Sequence, residues 1–228
     1  MILIAGDSHA DYRYMRKLFD LAKETTIKDI IICGDFGYWP TDPEGKNFLY
    51  HLNNFIQGKD LRVYFVDGNH EDFRALNKLP KDKVSMIPEA LNVFYIPRGV
   101  TTVIDDRKVL GFGGAVSIDK QWRVLGKSWF IEESITDDDI NNLNDVENID
   151  VMICHDGPLN IVSSDPSYKT DPDSDINRQR LRKVVMKAKP KMLFHGHYHK
   201  YQHYINGEMY VYALHCNYGK FHETYKII

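Results

Sequence analysis

The chain has 228 residues, 43% hydrophobic and 12% aromatic, which suffices to bury the core of one α/β domain. A formal charge of −3 with 27% charged residues excludes the strongly basic footprint of a dedicated nucleic-acid binder, and no apolar run approaches the ~18 residues of a membrane span. Met1 opens directly into an apolar run with no basic leader, and Cys33 and Cys154 sit inside apolar strands, so a cytoplasmic protein with reduced thiols is expected.

Ile2 to Ala5 reads as a buried strand, and Tyr12 to Glu24 as a helix with Met15, Leu18, Phe19 and Ala22 on one face. The apolar run Ile30-Ile31-Ile32-Cys33 returns as a second strand, giving one βαβ unit. Glu44 to Gln57 repeats the helical pattern and leads into a third strand over Val63 to Val66. Val93 to Ile96, Val100 to Ile104 and Lys108 to Phe112 are short strands, with Asp105-Asp106 a turn, and predict a second, more antiparallel sheet. Periodicity is lost from Ser117 to Glu133, an ordered loop rich in Trp and charge, before Thr136 and Asp139 begin a helix to about Val146. Asp150 to Cys154 is a strand, Ser163 to Asp175 a mobile loop, and the next segment a basic amphipathic helix stopped by Pro190. Met192 to Phe194 is a strand, Asn206-Gly207 marks a hairpin between Tyr201–Ile205 and Glu208–Leu214, and Phe221 to Ile228 is the last strand.

Polar blocks recur after the apolar strands: Gly6-Asp7-Ser8-His9, Gly34-Asp35, Gly68-Asn69-His70-Glu71, His155-Asp156 and Gly196-His197-Tyr198-His199. Open α/β sheets bind ligands outside the carboxyl ends of their strands, and five of the ten histidines fall in these blocks. A single Asp after a strand is most often a cap, and a single His most often a hydrogen-bonded core residue. The ordered set instead predicts one metal site. Its oxygen and nitrogen donors without thiolate suit Mn, Fe, Zn or Ni better than Ca or a cysteine zinc site. Gly126-Lys127-Ser128 imitates the end of a phosphate-binding loop, but Gln121 stands where its first glycine belongs.

These blocks resemble, in order, the five motifs of the calcineurin-like metallophosphoesterases, over nearly the whole chain from Asp7 to His199. The resemblance implies a four-layer α/β/β/α sandwich and two divalent transition-metal ions, Mn before Fe, Zn or Ni. It assigns Asp7, His9 and His199 to one ion, Asn69, His155 and His197 to the other, and Asp35 to both. His70 is then the histidine that faces the scissile phosphate without binding metal, and Glu71 supports the site. Two departures stand out. Phe36-Gly37-Tyr38-Trp39 follows Asp35 where the protein-phosphatase branch often continues to an arginine, and Ala10 replaces a common glycine.

The activity implied is hydrolysis of a phosphodiester or phosphomonoester, nucleotides included, by a hydroxide between the two ions. A nuclease for short or single-stranded nucleic acid and a protein phosphatase are the alternatives, and a silent binding scaffold ranks last because every ligand position is filled. Tyr38, Trp122 and Arg123 are the expected substrate-binding residues, as Arg pairs with phosphate and Trp stacks on a base. A membrane partner is not expected, and the sequence leaves the oligomeric state open.

Overall fold

The computed structural model of the protein describes residues 1–161 and 171–228. Its first half alternates strand and helix: β1 (Ile2–Ala5), α1 (Tyr12–Glu24), β2 (Asp29–Ile32), α2 (Pro43–Ile56) and β3 (Arg62–Phe65). Each long helix begins where an aspartate accepts from free first-turn amides, Asp11 from Arg13 and Tyr14, Asp42 from Glu44 and Gly45. A short α3 (Phe73–Leu76), β4 (Ser85–Met86) and β5 (Val93–Tyr95) complete this half. The second half runs β6 (Thr101–Ile104), β7 (Arg107–Phe112), α4 (Asp137–Asn141), β8 (Val151–Cys154), α5 (Pro172–Ala188), β9 (Met192–His195), β10 (Gln202–Asn206), β11 (Met209–Ala213) and β12 (Tyr225–Ile227).

The described residues form two six-stranded sheets, ordered β12-β1-β2-β3-β5-β4 and β10-β11-β9-β8-β7-β6. Strand alternation divides the core into three layers. Leu3, Ala5, Ile30 and Ile32 face α1 and α2, whereas Ile2, Ile4 and Ile31 meet Val109, Val151, Ile153 and Phe194 between the sheets. Leu110, Phe112, Met152 and Leu193 pack outward on Leu181, Val184 and Val185 of α5. The fold is therefore the expected α/β/β/α sandwich. Among the described residues no helix is long and apolar enough to cross a membrane.

Several expectations need correction. β5 joins the first sheet, parallel to β3, and the second sheet is antiparallel only at its edges, β7, β8, β9 and β11 being parallel. Short strands in sequence suggested hairpins, but the crossover helices lie far enough along the chain to make parallel neighbours. The capping box of Thr136 and Asp139 forms, yet α4 stops at Asn141 because the Asn/Asp-rich segment after it favours turns, with Asp145 and Asn148 left-handed. Residues 163–170 of the expected mobile loop lie outside the described residues. Asp171 caps α5, and Pro172 to Asp175 form its first turn. Phe221–Glu223 is a 3-10 turn rather than strand.

Arg98 ties the halves together. Its Nε and Nη2 donate to Asp67 Oδ2 at 2.9 and 2.6 Å, and its Nη1 to Asp139 Oδ2 at 3.2 Å. The same guanidinium donates to the carbonyls of Glu132, Glu133 and Ser134. Asp67 is fully buried just beyond β3 and also accepts from the Tyr95 hydroxyl at 2.9 Å. Arg98→Met leaves that carboxylate without its cation, so urea unfolding should show a loss of ~3–5 kcal/mol. A loss under about 1 kcal/mol, the usual worth of a surface pair, would contradict this role.

Candidate metal centre

The carboxyl ends of β1, β2, β8 and β9 bring the polar blocks of both sheets to one place. Asp7 leaves β1 fully buried, with Oδ2 3.2 Å from His199 Nε2 and 3.9 Å from His9 Nε2. Its Oδ1 lies 3.8 Å from His155 Nδ1, and both carboxylate oxygens accept from the His197 amide. Asp35, also buried, sits 3.3 Å from His155 Nε2 and 3.8 Å from His9 Nδ1, and accepts from the His70 amide at 2.9 Å. Among the described residues two groups of donor atoms could share an ion, Asp7-His9-His199 and Asp7-Asp35-His155. Asn69 Oδ1 is 3.2 Å from His155 Nε2, and the His197 ring meets the His155 ring edge-on at 4.9 Å.

This crowding requires glycine. A Cβ on Gly196 would lie 1.8 Å from Asp7 Oδ1, and one on Gly68 would lie 2.1 Å from Asp35 Oδ1. Close approach of the two carboxylates, more than backbone turning, makes these two positions glycine.

Hydrogen bonds outside the cluster aim the imidazoles. Cys33 O, 2.8 Å from His155 Nδ1, accepts its proton and leaves Nε2 directed at Asp35 and Asn69. The Tyr218 hydroxyl bonds His199 Nδ1, which turns Nε2 toward Asp7. Glu71 accepts from the Phe36 amide at 2.7 Å, and burial with Asp35 nearby holds it well above the usual carboxylate range.

The donors fit hard or borderline divalent ions: two buried carboxylates and imidazole Nε2 atoms converge, His9 and His199 only 3.2 Å apart, and neither a lysine nor an arginine pairs with Asp7 or Asp35 among the described residues. Such buried charge demands a cation. In the chain alone, protons serve. Burial disfavours the charge on His155, but Asp35 and Asp7 outweigh it and push the group up to about 10. Burial likewise opposes the charge on His199, and Asp7 raises it to about 10. Asp35 is held well below the usual range, burial being overcome by His155, His70 and His9. His197 and His70 are shifted down by burial.

A cleft of about 370 Å³ opens over Asp35, Asn69, His197 and His199, walled by His70 and Arg123 and by Tyr198 and Arg178. Arg123 Nη2 lies 3.1 Å from His70 Nε2, and Nε pairs with Asp119 at 2.8 Å. Trp122 is 79% exposed and stands on the same loop outside the cleft. Tyr38 corrects the expectation for it: its ring is buried and its hydroxyl donates to Glu89, so it does not line the cleft. Its neighbour Trp39 instead supports the site, donating from Nε1 to His70 O at 2.7 Å.

Sequence reasoning missed Tyr218, Ser117 and Glu133. Glu133 is buried and accepts from Ser117 N, Ser117 Oγ and Trp129 Nε1, and Ser117 Oγ in turn accepts from Asn69 Nδ2. Burial pushes Glu133 up to about 7 against those bonds. A carboxylate just beyond Trp129-Phe130-Ile131 was the available signal.

A family model described as calcineurin-like phosphoesterase matches residues 1–201. A lariat debranching enzyme of Entamoeba histolytica is 25% identical over 247 aligned positions, covering 93% of this chain and 68% of that protein. The structure of TT1561 of Thermus thermophilus superposes with a TM-score of 0.57 at 14% identity, over 95% of this chain and 89% of the other. GAP50, described as the anchor in the inner membrane complex of Plasmodium, superposes with a TM-score of 0.54 at 14% identity, over 93% and 70% of the two chains.

Metal uptake through His155 and His199 should release protons, since their neighbouring carboxylates raise both to about 10 and an imidazole must shed a proton to coordinate. Titrating Mn²⁺ into chelator-treated protein at pH 7.5, in buffers of different ionisation enthalpy, should report about two protons lost on filling both positions, and apparent affinity should climb as pH rises toward 10. Binding without proton release would contradict the charged pairs.

Proposed function

The chain belongs to the calcineurin-like phosphoesterase family, whose model spans residues 1–201, and from that premise we propose that it is a hydrolase for phosphodiesters or nucleotides with a dinuclear metal centre. Asp7, His9 and His199 hold one ion, Asn69, His155 and His197 the other, and Asp35 serves both. The observation that carries this is the pair of buried carboxylates, Asp7 and Asp35, facing His9 from the first sheet and His155 and His199 from the second. Bound there, two ions supply Lewis-acid polarisation of the phosphoryl group and a nucleophile from water at neutral pH.

The chain's own residues do the rest. Arg123, fixed by Asp119 and aimed beside His70, offers a guanidinium to a non-bridging phosphate oxygen. His70, whose Nε2 accepts from that guanidinium in the chain alone, is the residue we assign to the leaving oxygen. Trp122 and the exposed apolar residues Val124 and Leu125 beside it offer a surface for a base or other aromatic group. This favours a diester with an organic group on either side over a bare sugar phosphate.

A nucleic-acid diester is a second reading, favoured by likeness to a protein named a lariat debranching enzyme. Protein-phosphatase specificity lacks the arginine expected after Asp35. A scaffold role, despite likeness in fold to an anchor protein, leaves the complete donor set without purpose.

Chelation should abolish hydrolysis across a panel of nitrophenyl esters, dinucleotides and cyclic nucleotides, and Mn²⁺ should restore it. Undiminished turnover in chelator, with no metal by elemental analysis, would overturn the proposal. His70→Asn should keep both ions and lower turnover ~10²–10⁴-fold on a dinucleotide, with a much smaller loss on a nitrophenolate ester. Equal losses on the two leaving groups would contradict His70 as the proton donor.

A further inference from the structure

Asn69 is symmetric in shape but not in chemistry: only its Oδ1 can bind a cation, and a flipped amide would present NH2 instead. A chain of hydrogen bonds running away from the metal centre selects the productive orientation. Glu133, once ionised, can only accept, and it takes the Ser117 hydroxyl proton on Oε2 at 2.9 Å, with Ser117 N at 2.6 Å and Trp129 Nε1 at 3.0 Å on Oε1. Having spent its proton on Glu133, Ser117 Oγ is left as an acceptor toward Asn69, and it receives Asn69 Nδ2 at 3.1 Å. Asn69 Oδ1 must then face the other way, and it lies 3.2 Å from His155 Nε2, the donor that shares its ion in the dinuclear reading. Ser117, Asn69 and Glu133 are all at least 95% buried, so water does not compete for these bonds.

We infer that Glu133 is a positioning residue for the second metal position, acting through Ser117 to set the polarity of the Asn69 amide. This rests on the dinuclear assignment above. The same carboxylate ties Ser117 and Trp129, the two flanks of the loop that carries Arg123 to His70, so the substrate loop and the Asn69 position share one anchor. Glu133→Gln preserves shape but adds an NH2 that can donate to Ser117. The Ser117 proton is then free to turn toward Asn69, and the flipped amide becomes acceptable.

The test is calorimetric titration of Mn²⁺ into chelator-treated protein at pH 8, with thermal melts of each variant before metal is added. Wild type should take up two ions. Glu133→Gln and Ser117→Ala should each weaken one of the two sites by ~10–100-fold, the range for lost outer hydrogen bonds, with the other unchanged. Ser117→Thr, which keeps the hydroxyl, should restore it, and Glu133→Gln with Ser117→Ala should be no worse than either alone. Equal weakening of both sites alongside an earlier melt means a purely structural role and overturns the inference. So does a second affinity that survives both Glu133→Gln and Ser117→Ala while wild type binds two ions. A wild type that binds only one ion instead overturns the dinuclear assignment, and this inference with it.

Discussion

The pairing of Asp7 with groups from the opposite sheet is the interaction on which the site depends. Asp7 follows β1 of the first sheet, yet its carboxylate accepts from the His197 amide and approaches His155 and His199, all delivered by the second. An isolated carboxylate between two apolar sheets would be prohibitively costly. Here His155 and His199 face Asp7 and Asp35 and are raised by them to about 10, so the buried carboxylates have partners within the chain.

Bringing two sheets so close at their carboxyl edges sets a spatial demand that only particular residues meet. Gly196 and Gly68 give way to the Asp7 and Asp35 carboxylates, and Gly34, with φ of +85°, lies under the His155 ring. The fixed points on either side are ordinary core: Ile4 and Ile31 against Ile153 and Phe194 hold the sheets at packing distance. Polar precision at the edge therefore rests on apolar contacts further in along the same strands, since the core sets how near the strand ends can come.

Much of this was legible in the sequence because the relevant signals are local. Apolar runs ending in Gly-Asp, Gly-Asn-His or Gly-His-x-His announce strand ends with donors, and Met15, Leu18, Phe19 and Ala22 announce a buried helical face. What failed was non-local. Sheet membership of β5 depends on which strand it meets in space, and a run of three residues contains no trace of that choice. Tyr38 looks like a wall of the cleft because it follows Asp35 closely, but the left-handed turns at Asp35 and Gly37 send its ring into the core beside Phe65. Ser117 and Glu133 were hidden for the same reason, since their meaning lies in a bond to Asn69, 48 positions away from Ser117.

Backbone strain shows how the centre is kept ready. His9, Asp35, His197 and His199 all adopt left-handed conformations, with φ between 44° and 67°, each costing roughly 1–2 kcal/mol for a residue with a side chain. Such conformations persist only where neighbours over-determine them. The neighbours here are other polar blocks: the His9 amide donates to Asp35 O at 2.7 Å, Ala10 to Phe36 O at 3.1 Å, His70 to the Asp35 carboxylate and His197 to that of Asp7. The blocks brace one another across these turns. The donor geometry is therefore fixed by the chain before metal or substrate binds, and little reorganisation remains to oppose a phosphoryl group entering the cleft.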